Sequence, residues 1–308
     1  MRSFRTIRNV HERTIEAPAH AVGTLLGHLA SPHDPIWPAP AWPPMRFDRP
    51  LGVGADGGHG FVRYRVSAYE PGRHVRFSFD PPMSGHHAFV IEPLGPDRCR
   101  VRHVLELART GPMLLGWALA VRWMHDTVLE ELFDNIEQAV TGTVPSPSRW
   151  SPWVRLLHRL TWDRATACDL PAGARLARAA FERSDYSDAY RIGLRPGMPR
   201  DPESWRGVLR GAPFPVVGRE GGEILLGEDA GHLDFRASIL VDEEQVTLGT
   251  VVRIHNLRGR LYWTVVRRVH PFMARTMLRR IHRRLALTAP TATARARQAP
   301  APPLPHGS

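Results

Sequence analysis

The sequence predicts an α+β protein of two consecutive domains, and three patterns in its 308 residues indicate this class. Apolar and polar residues alternate over 62–68 and 75–79, on either side of a turn at 70–72, which is the period of half-buried strands. Apolar residues then recur at helical spacing over 114–136. In the second half, several short strand patterns are again followed by a helical stretch, 258–285. Strands followed by one long helix are typical of α+β domains.

The remaining elements follow from local patterns. In the first half we predict a strand at 10–16, a short helix from Pro18 to Leu29, and strands around 89–91 and 99–107. In the second half we predict a helix start at 201–205 and strands at 185–192, 215–219, 223–228, 232–241 and 246–255. The segment Gly52–Gly57 fits G-x-G-x-x-G, but no strand precedes it and no helix follows. It is therefore interpreted as a loop and not as a dinucleotide site.

A turn-rich Pro/Ser segment at 141–148 directly follows the first long helical pattern and places the domain boundary there. The Ala/Pro-rich end of the chain has no apolar period and is expected to be disordered. The predicted bounds are 1–142 for the first domain, 143–168 for a linker and connecting helix, 169–287 for the second domain and 288–308 for the tail.

Positive charge is concentrated in the second half of the chain. All 41 basic residues are arginine, and the net charge is +11. Residues 1–145 hold 15 arginines and 15 acidic residues, whereas 146–308 hold 26 arginines against 15. The basic end is compatible with peripheral contact with an anionic membrane. Nucleic acid is not expected as a partner, because no base-stacking aromatics are interleaved with the arginines on predicted strands.

Cysteine usage and the lack of a readable secretory signal predict a cytoplasmic protein. Cys99 and Cys168 fall one in each half, share no ligand spacing, and are expected to be reduced thiols. The neighbours His86 and His87 must point to opposite faces of a strand, and no Cys/His/carboxylate cluster has metal-ligand spacing. The sequence thus predicts neither a metal nor a cofactor.

Three stretches of the first domain carry a family resemblance. They are Ile15-Glu-Ala-Pro18, the hairpin with Arg63-Tyr-Arg-Val66 and Glu70-Pro-Gly72, and the helix with Trp123-Met-His-Asp126 and Leu132-Phe-Asp134. Over about residues 5–142 the chain resembles the START-like (SRPBCC, polyketide cyclase/dehydrase) superfamily. The resemblance implies a helix-grip fold, in which a curved antiparallel sheet surrounds a long C-terminal helix and leaves a cavity for an apolar ligand.

A second resemblance covers about residues 169–285. The segments that carry it are Gly231-His-Leu-Asp-Phe-Arg236, Arg253-Ile-His-Asn256, Gly259-Arg-Leu-Tyr262 and His270-Pro-Phe272. They resemble a bacterial domain family of unknown function that is often fused behind a Rossmann-type NAD(P)-binding domain. This sequence contains no Rossmann domain, so the resemblance implies no cofactor. The second domain is expected to be a related sheet with a C-terminal helix.

The candidate binding site of the first domain follows from strand alternation. His103 shares the apolar face of its strand with neighbours two residues away, where it either orients a ligand or is a core histidine bonded to a neighbour. Small residues such as Ala68 and Cys99 on the same face predict a cavity and not a filled core. The predicted lining residues are Tyr64, Phe77, Phe79, His103, Leu105, Trp117 and Val121.

In the second domain, polar residues share the strand face opposite Leu233, Phe235 and Ala237, and further polar residues lie near a strand end. They either grip an anionic or hydroxylated group or form a solvated strand face. The polar candidates are His232, Asp234, Arg236, His255, Asn256 and Tyr262.

The C-terminal helical stretch is amphipathic and basic. A helical wheel places Arg267, Arg268 and Arg275 on one side. After Pro271 the apolar stripe shifts to Met277, Leu278, Ile281 and Leu285. The apolar side either packs on its own domain or contacts anionic lipid. The apolar residues of the first stripe are Leu261, Val265, Val266, Val269, Phe272 and Met273.

Three functions remain open from the sequence. The first is a carrier or sensor that binds an apolar small molecule or lipid. The second is a cyclase/aromatase- or dehydratase-type enzyme in which a histidine moves protons, although no catalytic residues can be assigned and the isolated inward His103 favours the binder. The third is a module that docks on a membrane or partner through its arginine-rich end.

Overall fold

The computed structural model describes residues 6–108, 111–209 and 214–290. These divide into two compact units, one formed by residues up to Thr161 and the other by Trp162–Ala289. Each unit contains one antiparallel sheet and a long helix near its end. The predicted α+β class, the tandem arrangement and the helix-grip architecture are therefore confirmed. The predicted domain bounds stay predictions, and most of the expected disordered tail lies outside the described residues.

The sheet of the first unit has seven strands in the order β1-β7-β6-β5-β4-β3-β2. Its first strand pairs with its last, so that His11 lies opposite His103. The predicted hairpin is formed by β4 and β5, and β3 occupies part of the segment that was expected to be a loop. The strands are β1 Thr6–Ile15, β2 Met45–Phe47, β3 Asp56–His59, β4 Val62–Glu70, β5 His74–Phe79, β6 Gly85–Gly95 and β7 Arg98–Ala108.

A β-bulge in β4 changes which side chains face inward. The register against β5 shifts between Val66 and Ala68. Before the bulge Tyr64 is buried, whereas after it Tyr69 packs against the core and Ala68 lies opposite the exposed Arg76. Because an extra residue in one strand reverses the alternation beyond it, the expectation that Ala68 lines the inner face is wrong.

The helices of the first unit are α1 Ala19–Gly27, α2 Gly111–Gly116, α3 Arg122–Thr141 and α4 Pro152–Thr161, with a π-helical turn at Trp117–Val121 between α2 and α3. The inner face of α3 packs on the sheet through Val128, Leu129, Leu132, Phe133 and Ile136. Cys99 and Val101 are 0% and 1% exposed within the same cluster. Buried apolar side chains surround Cys99, and a larger side chain there would have to displace them.

The second unit repeats this plan with a six-stranded sheet in the order β10-β11-β12-β13-β9-β8. The strand β9 pairs with the last strand, β13, and Asp188 lies opposite Thr250. The strands are β8 Thr166–Cys168, β9 Tyr186–Gly193, β10 Val216–Glu220, β11 Glu223–Asp229, β12 Leu233–Val241 and β13 Gln245–Ile254. The helices are α5 Arg175–Ala179, a 3₁₀ helix at Pro202–Leu209 and α6 Leu257–Thr288. Separate apolar clusters involve the α5 region and α6.

The second half of α6 packs through the predicted residues Met277, Leu278, Ile281 and Leu285, whereas its first half packs on the sheet with a different face from the predicted one. The helix continues without a break through Pro271. Its buried residues are Gly259, Trp263, Ala274, Leu278, Ile281, His282 and Ala286. The first predicted apolar stripe is instead exposed at Leu261, Val265, Val269, Phe272 and Met273. The helix carries apolar residues on more than one side. A contact between His270 and Asp188 of the sheet holds the side with Trp263 and His270 against the sheet.

Among the described helices, none combines the length and the hydropathy that crossing a bilayer requires.

Candidate functional site

Two histidines lie side by side on the inner face of the first unit's sheet. His87 comes from β6 and His103 from β7, and His87 Nδ1 lies 3.2 Å from His103 Nε2. The two residues are 7% and 1% exposed. The rings of Phe77 and Phe79 stack against His87, and the ring of Phe89 lies 4.7 Å from that of His103. Aromatic side chains therefore surround the pair.

The pair presents one hydrogen-bond donor and one acceptor. Burial lowers the pKa of both His87 and His103 well below the usual value, so both rings are neutral at neutral pH. A neutral imidazole has one N–H and one bare nitrogen. Whichever ring donates the bond between them, one of the outer nitrogens, His87 Nε2 and His103 Nδ1, is a donor and the other an acceptor. Neither has a partner within the described residues, and an unpaired buried polar group costs about 1–3 kcal/mol.

Tyr64 extends the aromatic surface to β4. Its hydroxyl lies 3.0 Å from His59 Nδ1, and its ring meets His87 edge-on at 4.8 Å. Burial raises the pKa of Tyr64 and lowers that of His59 to about 4, so this hydrogen bond joins two uncharged groups. The structure thus brings together the predicted lining residues of the sheet: Tyr64, Phe77, Phe79, His103 and Leu105.

The closing helix approaches His103 through His125. The two rings are 5.2 Å apart, and the ring of Trp117 lies 5.7 Å from His125. Trp117 is buried, but Val121, expected on the same face, is 42% exposed. Both residues lie in the π turn, where hydrogen bonds join residues i and i+5. Residues four apart share a face in an α-helix, but they do not in this turn. The sequence does not reveal this turn, and π turns are frequent at functional sites.

A second polar group joins β1 to α3. His11 bonds to Asp126 through Nε2 at 3.0 Å and to Glu130 through Nδ1 at 2.9 Å. Burial lowers the pKa of His11, but these two hydrogen bonds more than compensate and raise it to about 9. Arg13, two residues along β1, binds Glu130 at 2.8 Å. Two cationic side chains of β1 are therefore fastened to the acidic side of α3.

Sequence reasoning missed one set of side chains in this layer. His11, His125 and Asp126 each offer one ligand atom, and these atoms lie within 4.8 Å of one another. The strand β1 and the helix α3 are far apart in the chain, so a search for local metal-ligand spacing cannot find the set. The proximity of these residues becomes apparent only once the strand order is known, because β1 lies beside β7 and directly under α3.

In the second unit, four of the six polar candidates meet in pairs. His255 Nε2 lies 2.9 Å from Asp234 Oδ2, which joins the end of β13 to β12. The ring of His232 meets that of Tyr262 edge-on at 5.4 Å. His232 lies one residue before β12 and contacts Tyr262, whereas Asp234, in β12, contacts His255.

The other two candidates have local structural contacts. Arg236 Nη1 lies 2.6 Å from Asp229 Oδ1, and its guanidinium group lies over the ring of Phe181. Asn256 is the N-cap of α6, because its side-chain oxygen accepts from the Gly259 N–H at 3.1 Å. A role for any of the six in binding a ligand stays a prediction.

The second unit also contains a polar cluster that sequence reasoning missed. Asp188 Oδ2 accepts from the hydroxyls of Tyr186 and Tyr190 at 2.7 and 3.0 Å and lies 3.1 Å from His270 Nδ1. Burial raises the pKa of Asp188, but the bonds from His270 and the tyrosines lower it by more. The net pKa is below the usual value, which favours the carboxylate. The pattern Tyr-x-Asp-x-Tyr on one strand was the available signal. The cluster occupies the same place in its sheet as His11 and His103 do in theirs, under the long helix where the first long strand pairs with the last.

Several solved structures resemble part of the chain. Norcoclaurine synthase from Thalictrum flavum is 16% identical with a TM-score of 0.36, covering 45% of this chain and 96% of the other. A conserved protein of unknown function from Enterococcus faecalis is 15% identical with a TM-score of 0.35, covering 51% and 86%. The Aha1 dimer from Colwellia psychrerythraea is 14% identical with a TM-score of 0.33, covering 42% and 96%. Scores this low support neither a shared ligand nor a shared activity.

Sequence comparison gives a family. No curated protein matches the chain. The profile of the family described as "Protein of unknown function (DUF2867)" matches residues 118–277, just over half of the chain, from the π turn of the first unit into α6 of the second. This match overlaps the resemblance noted over 169–285, whereas the frequent fusion to an NAD(P)-binding domain is untested. The chain belongs to the DUF2867 family.

Proposed function

We propose that the first unit binds a small molecule with an apolar body and one polar group, and that the His87–His103 pair holds the polar group. One observation carries the proposal. Two ring nitrogens of a buried, neutral histidine pair have no partner within the described residues, and aromatic rings enclose them. A ligand that hydrogen-bonds there removes the cost of burying these atoms unpaired.

The surroundings of the pair define the ligand class. Tyr64, Phe77 and Phe79 offer ring faces and edges next to His87, and burial of an apolar body contributes roughly 25 cal/mol per Å² removed from water. The neutral pair suits an uncharged group such as a hydroxyl or a carbonyl. A carrier or sensor of such a molecule, including a lipid with a hydroxyl or carbonyl, fits this chemistry.

The ligand is proposed to enter beside the π turn. The interior beneath the middle of α3 is filled by apolar side chains, which leaves the beginning of the helix as the entry side. Trp117 covers His125 there, while Leu115 and Leu119 are exposed. A π turn departs from regular helical bonding, so this segment can move without breaking the rest of α3.

An enzyme of the cyclase/aromatase or dehydratase type is the alternative for the same site. When the bond between the two rings reverses, His87 and His103 exchange tautomers, and a proton taken up at one outer nitrogen is released at the other. The pair can therefore move a proton across the site. This alternative requires the bound molecule to be chemically changed.

A matched pair of probes tests the binding proposal. We expect the wild-type protein to bind 2-naphthol about three- to tenfold more tightly than naphthalene, because one hydrogen bond to a buried partner contributes about 0.5–1.5 kcal/mol. His103→Phe keeps the ring packing but removes both nitrogens, and should abolish this preference. Fluorescence titration measures both affinities.

His86→Phe is the control, because His86 lies next to His87 on the opposite face of β6 and should leave the preference unchanged. Equal binding of the two probes by the wild type, or no binding of either, would contradict the proposal. Mass spectrometry of molecules that co-purify, before and after incubation with the protein, separates the two alternatives. A carrier returns them unchanged, a dehydratase removes water from them, and a cyclase that only closes a ring changes their fragmentation pattern at constant mass.

The helix α6 supports a second candidate function, docking on an anionic membrane. Its exposed side carries the stripe of Leu261, Val265, Val269, Phe272 and Met273, which are 48–74% exposed. The helix also contains nine arginines and no acidic residue. Apolar side chains flanked by cations are the pattern of helices that lie in the interface of an anionic bilayer.

Vesicle sedimentation tests this candidate. We expect the protein to sediment with anionic vesicles at low salt and to be released at high salt, because screening weakens exposed charges. Val265→Glu should reduce sedimentation several-fold, whereas Val217→Glu, at an exposed position of β10, should not. Binding that does not depend on lipid charge, or that is unchanged in the Val265→Glu variant, would contradict a role for this helix.

A further inference from the structure

A group of metal-binding side chains lies at the junction of β1 and α3. His11 Nε2 is 3.0 Å and His125 Nδ1 is 3.6 Å from the same oxygen, Asp126 Oδ1. All three atoms lie within 4.8 Å of one another. Two atoms bound at about 2.0–2.2 Å to one ion are at most about 4.4 Å apart, so small side-chain shifts bring the three into one coordination sphere.

One atom of this group and one neighbouring atom lack hydrogen-bond partners in the part of the chain that the structure describes, which points to a cation. His125 Nδ1 and Asn9 Oδ1 are buried and have no hydrogen-bond partner within the described residues. An imidazole nitrogen without a proton offers a lone pair for a ligand bond. Asn9 already contacts the group, since its Nδ2 donates to Asp126 Oδ1 at 3.0 Å. A metal ion bound beside the Asp126 carboxylate would satisfy both His125 Nδ1 and Asn9 Oδ1.

The surroundings include the outer contacts that metal-binding histidines require. His11 Nδ1 lies 2.9 Å from Glu130 Oε1, which fixes the ring and directs Nε2 toward Asp126. Glu130 is itself held by Arg13 at 2.8 Å. The group is also accessible, because the side chains of His11, His125 and Asp126 are 15%, 19% and 27% exposed.

We propose that His11, His125 and Asp126 bind a divalent transition-metal ion, with Asn9 Oδ1 as a fourth donor after rotation of its amide. Two imidazoles and one carboxylate suit Zn²⁺, Fe²⁺ and Co²⁺ better than Mg²⁺ or Ca²⁺, which prefer oxygen donors alone. The proton on His11 Nε2 leaves as the metal binds, so binding releases a proton to the solvent.

Calorimetry and Co²⁺ absorption test the site on the full chain after treatment with a chelator. We expect one equivalent of Zn²⁺ to bind with at least tenfold higher affinity than Mg²⁺, and Co²⁺ to give the visible absorption bands of a histidine-ligated ion. His125→Ala and Asp126→Asn should each weaken Zn²⁺ binding at least tenfold. His20→Ala, an exposed histidine on α1, should not change it.

The circular dichroism of each variant establishes that it is folded. Asn9→Ala offers a milder second check, with an expected few-fold loss of affinity and a changed Co²⁺ spectrum. The proposal is overturned if Zn²⁺ binds with unchanged affinity to the folded His125→Ala variant, or if Co²⁺ bound to the wild type shows only the spectrum of the aqueous ion. Neither result depends on whether the His87–His103 pair binds an organic ligand.

Discussion

Replacement of Arg13 by methionine should destabilise the first unit by about 3–5 kcal/mol. Arg13 Nη1 lies 2.6 Å from Asp134 and 3.2 Å from Glu137, and Nη2 lies 2.8 Å from Glu130. Its side chain is only 18% exposed. Without the guanidinium group, Asp134 and Glu137 would lose their cation on β1 and Glu130 would keep only His11, and partly buried unpaired charges are costly. Denaturant unfolding, followed by hydrogen exchange of peptides from β1 and α3, measures the loss.

Arg8→Met is the matched control for this prediction. Arg8 lies on the same strand and pairs with Glu106 at 3.6 Å, but the two side chains are 66% and 41% exposed. Exposed ion pairs contribute at most about 1 kcal/mol, so this variant should remain close to the wild type. Adding Asp134→Asn to Arg13→Met should recover part of the stability. Similar losses of stability in the Arg8 and Arg13 variants would show that burial of the ion pairs with Glu130, Asp134 and Glu137 does not contribute to stability.

The second unit should lose about 3 kcal/mol of stability between pH 6.5 and pH 4 through His282 alone. Trp162 Nε1 donates to His282 Nδ1 at 3.0 Å, and His282 Nε2 donates to the Gly193 carbonyl at 2.9 Å. The first bond requires the neutral ring, because Nδ1 must be unprotonated to accept from the indole N–H. Burial lowers the pKa of His282 to about 4, below its unfolded value of 6.5. The neutral ring therefore stabilises the fold fully above pH 6.5, and this stability is lost as the pH falls toward 4.

His282→Gln isolates this contribution from the other histidines. Glutamine has no charge to gain on acidification, so the stability difference between the wild type and the variant should be large at pH 7 and small near pH 4. Hydrogen exchange of peptides from β9 and α6 reports on the second unit alone. A difference that stays constant between the two pH values would mean that the His282 pKa is not lowered in the folded protein.

Regular elements of the fold are predictable from this sequence, whereas local irregularities are not. Alternation identified β4 and β5 because their inward residues are large and apolar. It could not reveal the bulge that turns Ala68 outward, since an extra residue leaves no mark in the pattern of residue types. The π turn that exposes Val121 is hidden for the same reason, because its sequence is apolar throughout.

The inner face of the first half of α6 was predicted incorrectly for a different reason, whereas the stripe predicted after Pro271 is buried. Hydrophobicity alone favours the stripe with Leu261 and Phe272, yet the sheet receives the side with Trp263 and His270. The choice depends on a polar contact to Asp188, a residue on another strand. In the first unit, alternation placed His103 on the inner face, but its partner His87 and the nearby His11 became apparent only from the pairing of the strands.

Both sheets join their first long strand to their last, β1 to β7 and β9 to β13, and this closure has a consequence for folding. Contacts between distant parts of the chain form slowly, because a long loop must close before they contribute any stability. During synthesis, β1 remains without its partner until residues 98–108 have left the ribosome, and β9 waits in the same way for residues 245–254. Each unit therefore passes through a period in which an unpaired strand edge is open to wrong partners, and chaperones that shield such edges should improve the yield of folded protein.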